Sequence, residues 1–257
     1  MSAVVAVTGS TGFLGKEICR SLEGRGLKIH RISRNIEKSR ELFGDRVSHI
    51  DASLSSFQLS KVFSRLGIDV VVHAATHFSK FRDMGLISEV TGANLDFAIR
   101  NFEAAKEVGA RYINLNSFWQ QARPEDGMGP YAASKEAFRQ YIELAAPASM
   151  LLENVYVPET FGPNDPRDKI VANLIRSRRS GTKYEINNPD IKIDLAFAPF
   201  IADFLSQSIK SDFPLGEKSS YINFPEVSLL TLQKLVEEIG QSALSNRDFT
   251  GPSFRDI

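Results

Sequence analysis

The sequence predicts a doubly wound α/β fold, a mainly parallel sheet with helices on both faces, followed by a smaller C-terminal lobe. Three observations predict it. A short apolar run, Val4–Val7, passes into a glycine-rich turn over residues 8–15 and then into an amphipathic segment from Lys16 to Leu22. Further short β-prone runs alternate with segments of helical period. One of those runs, Asp69–His73 (DVVVH), is apolar without a break, the pattern of a strand buried on both faces of a parallel sheet.

The 257 residues suit one large α/β domain or one domain with an appendage, and 42% hydrophobic residues supply a full core. Lys and Arg number 31 and Asp and Glu 31, so no global field favours nucleic acid or an acidic membrane. The single cysteine, Cys19, cannot form an internal disulfide, which fits a reducing compartment. The first strand begins near the initiator Met, with no leader pattern and no apolar run of membrane-spanning length, so a soluble, cytoplasmic protein is expected. Four histidines and one cysteine show no metal-ligand spacing, and no metal site is assigned.

The turn Thr8-Gly9-Ser10-Thr11-Gly12-Phe13-Leu14-Gly15 places glycines three apart between strand and helix. Gly9 suits the tight turn out of the strand, Gly12 keeps side chains away from a pyrophosphate, and Gly15 lets the helix pack closely. The helix N-terminus adds unpaired N–H groups for phosphate. A purely structural glycine turn is the other reading, but the strand-to-helix context is that of a Rossmann-type dinucleotide site.

Gly24 and Gly26 end the first helix, and Leu27–Ser33 reads as the second strand. At such a strand end a carboxylate takes a ribose 2′-hydroxyl, and a basic residue takes a 2′-phosphate. Ser33-Arg34 stands there, with Arg31 nearby and no carboxylate before Glu37, which favours NADP(H) over NAD(H). A solvated arginine is the alternative. Val47–Ile50 is the third strand, and Asp51-Ala52 is placed either to meet an adenine edge or to act as a cap or loop acid. Leu54–Leu66 is helical, with Leu59, Val62, Phe63 and Leu66 at core spacing. After the fourth strand, His73-Ala74-Ala75 offers small residues against which a cofactor can lie, His73 itself reading as structural. The polar-aromatic loop 76–83 begins Thr76-His77-Phe78, at the sheet edge where ligands of such folds sit. Ile87–Val108 is a long helix, Tyr112–Asn116 the fifth strand leading to Ser117, and Tyr131–Leu144 a second long helix after a Gly/Pro-containing loop over 122–130.

That helix carries Tyr131 and Lys135 four residues apart, hence on one face. An ammonium beside a phenol lowers the phenol's pKa and lets it exchange a proton with a carbonyl or alcohol oxygen near neutral pH. Ser117, at a strand end, is placed to hold the same oxygen. Alone, a tyrosine four before a lysine is an ordinary surface pair; with the glycine turn and the serine it is a specific constellation.

These residues resemble the extended short-chain dehydrogenase/reductase family, the NAD-dependent epimerase/dehydratases, in its nucleotide-sugar 4-ketoreductase branch. The resemblance rests on the glycine turn, His73-Ala74-Ala75, Asn94 ahead of Phe102-Glu103-Ala104-Ala105-Lys106, Asn116-Ser117, Tyr131–Lys135 and Phe161-Gly162-Pro163-Asn164-Asp165. Ser117-Phe118-Trp119 and Thr76-His77-Phe78 are similar to the CDP-abequose synthase type, which reduces the 4-keto group of a CDP-dideoxyhexose in deoxysugar and surface-polysaccharide biosynthesis. The resemblance implies that Ser117 and Tyr131 contact the reacting oxygen, Lys135 holds the nicotinamide ribose, Asn94 supports a proton relay through water, and Thr8, Thr11, Phe13, Leu14 and Asn116 line the NADP(H) site. It implies a homodimer pairing the two long helices, and Phe97, Phe138 and Tyr141 are the aromatics that fit this; their burial within one chain is the competing explanation. Two positions depart from the family. Glu159-Thr160 replaces an asparagine before the aromatic-Gly-Pro, and Ile193-Asp194-Leu195 stands where an arginine meets the pyrophosphate. Glu159 is thus a substrate-side candidate, and Arg176, Arg178 and Arg179 are replacement phosphate contacts or a solvated helix end.

Residues 1–156 are expected to form the cofactor domain and 157–257 the substrate lobe, with elements interleaved. In the lobe, a helix begins at Ile170–Ile175, Ile191–Phe197 is a strand, and Leu229–Ile239 a last helix begun by Ser228. The leading expectation is an NADPH-dependent ketoreductase; the alternatives are a nucleotide-sugar 4-epimerase with tightly bound NAD and a non-catalytic NADP-binding sensor.

Overall fold

The computed structural model describes residues 2–44, 48–78, 84–121, 129–163, 165–211, 218–221 and 226–238. Residues 122–128 of the loop expected over 122–130, residues 79–83 of the loop after the fourth strand, Asn164 and the end of the last helix at Ile239 lie outside the described residues, and residues 129–130 belong to the following helix. By its contacts the chain forms two units, residues 1–157 with 202–222, and residues 158–201 with 223–257.

In the first unit β1 (Val4–Thr8), β2 (Lys28–Ser33), β3 (Ser48–Asp51), β4 (Val70–His73), β5 (Arg111–Ser117), β6 (Leu152–Val157) and β9 (Lys218–Tyr221) form one sheet. Its order is β3-β2-β1-β4-β5-β6-β9, and every pair is parallel. The helices are α1 (Phe13–Gly24), α2 (Ile36–Phe43), α3 (Ser56–Leu66), α4 (Met84–Thr91), α5 (Phe97–Glu107), α6 (Gly129–Ala145) and α8 (Ala198–Lys210), the last spanning the unit boundary. Alternate side chains of the strands serve the two faces. Ala6, Ile32, Ile50, Val71 and Tyr112 pack with Leu59 and Phe63 of α3, Phe97 and Phe102 of α5, and Phe138 and Ile142 of α6. The doubly wound parallel sheet expected from the sequence is the observed fold. Phe97 and Phe138 belong to this core, so intrachain burial accounts for two of the three aromatics that suggested pairing.

Local chemistry sets the helix ends. Ser55 and Gln58 form a reciprocal capping box, so α3 begins at Ser56 rather than Leu54. Gly67, left-handed at φ +65°, closes it. α4 and α5 are one continuous helix interrupted by a π-helical turn at Gly92–Asp96.

β6 carries no clear apolar signature. In β6 (LENVYV) the polar Glu153 and Asn154 are buried. Glu153 faces Arg111 at 2.6 Å, and Arg111 also donates to Ser208 of α8 at 2.8 Å. Arg25, the C-cap of α1, binds Asp203 and Ser206 of α8. These bonds, with the β6–β9 pairing, tie residues 202–222 to the first unit. The sequence boundary after residue 156 had placed this stretch in the second lobe.

The second unit holds β7 (Glu159–Phe161), α7 (Ile170–Ser180), β8 (Lys192–Phe197), β10 (Glu226–Ser228) and α9 (Leu229–Glu238). Its sheet runs β10-β8-β7, antiparallel then parallel. Val171 and Leu174 of α7 meet Leu232 and Val236 of α9, with Phe161, Ile193 and Leu195 against them.

The glycine turn shows how tightly the first unit is packed. A β-carbon on Gly15 would lie 2.1 Å from the Gly9 carbonyl oxygen, whereas one on Gly24, in the same helix, would meet nothing within 4 Å. Gly15→Ala should lose about 2 kcal/mol or more, and Gly24→Ala should gain roughly 0.5–1 kcal/mol. Urea unfolding of the two variants checks the contrast.

Candidate active site

The strand order reverses between β2-β1 and β4, the switch point where parallel α/β sheets bind ligands. Gly9, at φ +66°, has no room for a side chain: its β-carbon would lie 2.7 Å from the Ala75 backbone. Gly12 is exposed, and a β-carbon there would meet only the Gly9 carbonyl, at 3.1 Å. It is also the N-cap of α1, in extended conformation, with no side-chain cap and no acid in the first turn. The positive helix end is therefore uncovered. Ser10 Oγ, fully buried, has no hydrogen-bond partner. A cradle of bare backbone at an uncapped helix start fits a dinucleotide pyrophosphate. The half-buried Thr11, Phe13 and Leu14 follow the same turn.

Thr8, expected to line the cofactor site, and His73, expected to be structural, both support the cradle. Thr8 Oγ1 accepts from Ala75 N at 3.1 Å and lies 2.9 Å from His73 Nδ1. Both side chains are buried. His73 packs against Phe97, Tyr112 and Phe138, and burial, then the charge of Lys135, holds its pKa well below the usual histidine value. Ala74 and Ala75 remain partly exposed beside the glycine turn.

At the end of β2, Ser33 Oγ accepts from Asn35 N and donates to Asn35 O. Arg34 is exposed and makes no hydrogen bond or ion pair among the described residues. The neighbouring Arg31 is buried, bonded to Glu23 and stacked over Phe43 at 4.2 Å, so it serves the fold. Asp51 accepts from Ser53 N at 2.8 Å, and that bond holds its carboxyl below the usual range. Ala52 is a correction: it is buried in the core, and its N–H is taken by the Ser33 carbonyl.

α6 crosses the C-terminal end of β5. Lys135 is buried, and its Nζ donates to the Leu115 carbonyl at 2.6 Å. Burial pushes its ammonium down to about 8. The Tyr131 ring stands edge-on to Phe78, centroids 5.1 Å apart. Ser117 ends β5; its Oγ accepts from Trp119 N at 3.3 Å, which leaves the hydroxyl proton for an incoming oxygen. Asn116 is another correction. Its amide bonds Asn154 at 2.9 Å and Asn114 at 3.0 Å, an asparagine ladder inside the sheet rather than a ligand contact.

Asn94 lies in the π turn, 1% exposed. Its Oδ1 accepts from Thr76 Oγ1 and His77 N, and its Nδ2 donates to the His77 carbonyl and Ser134 Oγ, at 2.7–3.1 Å. All four positions of the amide are filled, so its side chain has none left for the expected water relay. It is a clamp between the loop after β4 and α6.

Among the expected substrate residues, Thr76, His77 and Phe78 follow β4, Ser117 ends β5, and Phe118 and Trp119 follow it, all in the first unit. His77 faces Glu89 at 3.7 Å. Glu159, in the second unit, is ion-paired with Lys169 at 3.1 Å and serves that unit's own packing. Ile193 packs in the second core, which is why an apolar residue is tolerated there. Arg176 is spent on the carbonyls of Asp165 and Arg167 and on Asn173. Arg178 Nε is buried with no partner.

A sequence profile described as the NAD dependent epimerase/dehydratase family matches residues 5–196. The chain belongs to this family. It is 23% identical over 213 residues to the CDP-abequose synthase of Yersinia pseudotuberculosis, covering 81% of this chain and 74% of that protein. It is 30% identical over 173 residues to the ceramide reductase of Caulobacter vibrioides, covering 63% of this chain and 48% of that protein. It thus spans about half the length of the latter. Its fold is similar to that of the Thermus thermophilus UDP-glucose 4-epimerase in complex with NAD, with TM-score 0.73 at 19% identity, covering 91% of this chain and 82% of that one.

Two residues beside the candidate site were not singled out from the sequence. Gln120 Oε1 accepts from Ser117 N at 2.8 Å, and Ser134 Oγ donates to the Tyr131 carbonyl at 2.8 Å. The signal for Gln120 was the Ser-x-x-Gln spacing of a capping box, here closing the short 3₁₀ turn Phe118–Gln121. The π turn has no sequence signal of its own.

Lys135 is a base whose folded value, about 8, lies below its ordinary 10.5. Below pH 8 the interior holds an ammonium and the full cost applies; from pH 8 to 10.5 the native state sheds the proton first, so stability rises with pH. Lys135→Met should be the more stable protein at pH 7, by up to about 3 kcal/mol less the lost bond to Leu115. Its advantage should shrink towards pH 10. Paired urea titrations at the two pH values check the sign.

Proposed function

We propose that the protein reduces a keto group, at C4 of a nucleotide-linked deoxysugar, with NADPH. The observation that carries this reading is the buried Lys135, one helical turn from Tyr131 on α6 and bonded to the Leu115 carbonyl two residues before Ser117, in a unit that also holds an uncapped glycine cradle. Gly9–Phe13 would hold the pyrophosphate, Arg34 a 2′-phosphate, and Lys135 the nicotinamide ribose. When bound there, a dihydronicotinamide would supply the hydride that the keto carbon takes up. Ser117 donates a hydrogen bond to the keto oxygen and orients it, keeping its own proton. Tyr131 transfers its phenolic proton to that oxygen as negative charge develops, so ketone, hydride and proton balance as an alcohol. Lys135, with its pKa near 8, sits one helical turn from Tyr131 and stabilises the phenolate left behind.

NADPH rather than NADH follows from the uncommitted Arg34 and the lack of a carboxylate at the end of β2. A 4-epimerase that retains NAD is the second reading, supported by the fold likeness to an epimerase in complex with NAD. A homodimer through α5 and α6 belongs to the same proposal. Tyr141 and Leu144 on α6 are exposed and support it, Leu144 at 89%.

Tyr131→Phe should slow turnover of a 4-keto nucleotide sugar roughly a hundredfold or more while leaving NADPH affinity nearly unchanged. Normal turnover in that variant refutes the mechanism. Tight NADPH binding by a parent protein that reduces no such sugar moves a sensor role ahead. Arg34→Asp should erase a preference for NADPH over NADH, measured by cofactor titration, and equal binding by the parent removes the assignment. Sedimentation at micromolar concentration should show a dimer; monomer alone removes that part.

A further inference from the structure

The turn after β5 contains a polar bridge to which the mechanism above assigns no role. Gln120 Oε1 accepts from Ser117 N at 2.8 Å, and Gln120 Nε2 donates to Glu136 Oε2 of α6 at 3.1 Å. A backbone N–H only donates and a carboxylate only accepts, so the amide has one possible orientation. Glu136 is a fixed acceptor. Its carboxylate is gripped by Arg139 through Nε at 2.9 Å and Nη2 at 2.5 Å, and Gln140 adds a bond at 3.1 Å. Arg139 is anchored in turn to Glu143 at 2.6 Å. Arg139 first, with Gln140 and Gln120, keeps the Glu136 carboxyl ionised down to about 2.

The bridge therefore joins the two elements that carry the chemistry. Glu136 follows Lys135 directly and lies five residues after Tyr131, on the helix whose Lys135 already holds the Leu115 carbonyl. At the other end, Gln120 fixes the Ser117 N–H, and the same 3₁₀ turn directs Trp119 N onto Ser117 Oγ. With that oxygen accepting from Trp119, the hydroxyl proton points elsewhere. We propose that Gln120 is a positioning residue that locks the end of β5 to α6 and so aims the Ser117 hydroxyl at the oxygen Tyr131 protonates. The proposal rests on the keto-reduction reading for its kinetic consequence, but the bridge itself is a property of the first unit alone.

Gln120→Ala removes both bonds. Gln120→Glu restores them only while its carboxyl is protonated, because then one oxygen accepts from Ser117 N and the O–H donates to Glu136. As pH rises the new carboxylate faces Glu136, with Arg139 and Glu143 as the charged groups beyond it, and the bridge breaks. Two measurements on the full chain test this. In the parent, the Ser117 amide should be protected from hydrogen exchange. In Gln120→Ala it should exchange about tenfold faster or more, with the melting transition retained. With a 4-keto nucleotide sugar, Gln120→Ala should lower kcat roughly tenfold or more at unchanged NADPH affinity, the scale of a misaimed group. Gln120→Glu should recover kcat at low pH and lose it as pH rises, a limb absent from the parent profile. Unchanged Ser117 exchange in Gln120→Ala, or kcat within about twofold of the parent, or a Gln120→Glu profile superimposable on the parent's, overturns the proposal. If the parent reduces no keto sugar, the functional reading fails, and the exchange measurement alone then decides the bridge.

Discussion

Two backbone turns meet at the mouth of the sheet, the one after β1 and the one after β4. Gly9 presses on Ala75 with no space for a β-carbon, and Gly15 presses on Gly9 from the other side. Thr8 closes the contact by bonding the Ala75 N–H while lying against His73. This packing is what leaves the start of α1 bare: with the Gly12 N-cap offering no side chain, the first-turn N–H groups remain for an anion. His73 links the cradle to the rest of the unit, since its ring is wedged among Phe97, Tyr112 and Phe138. The shape of the phosphate cradle therefore depends on the packing of α5 and α6, the helices that flank the proposed chemistry.

α6 is unusual in sending Tyr131, Ser134 and Lys135 inward. A buried amine is costly, and here one carbonyl, that of Leu115, offsets part of the penalty. What remains appears as a depressed ammonium, the property a proton-transfer site near neutral pH requires. The neighbouring π turn makes Asn94 available to bond Ser134 on one side and the loop at Thr76–His77 on the other. Helical irregularities of this kind concentrate at functional sites. Here the irregularity holds the loop bearing Phe78 against Tyr131.

The interior of the first unit is more polar than a parallel sheet usually is. Asn114, Asn116 and Asn154 bond one another across β5 and β6, and Asn154 reaches Glu143 of α6. Arg111, Glu153 and Ser208 do the same between β5, β6 and α8. Each of these side chains is accommodated by partners brought from distant parts of the chain. They carry the register of β5, β6 and α8, and so the height at which Ser117 emerges.

The first five strands, the glycine turn and the Tyr131–Lys135 pair were legible from the sequence, because each depends on local spacing. Alternation marks a strand, three-residue glycine spacing marks the turn, and four residues mark one helix face. β6 was not legible, because Glu153 and Asn154 look solvent-bound until Arg111 and Asn114 are found beside them; α8 has a helical apolar pattern, and only its bonds to Arg25 and Arg111 place it in the first unit. The same limit produced the corrections at Ala52, Asn94 and Asn116: a polar or small residue next to a motif looks like part of it, and only its burial and its partners reveal what it is bonded to. Whether a residue belongs to the chemistry was written in the chain where its neighbours are three or four positions away. Where the partner is forty or a hundred positions away, as for Asn94 with Ser134 or Arg111 with Ser208, only the tertiary structure decided it, because burial turns each unpaired polar atom into a penalty that the fold must satisfy.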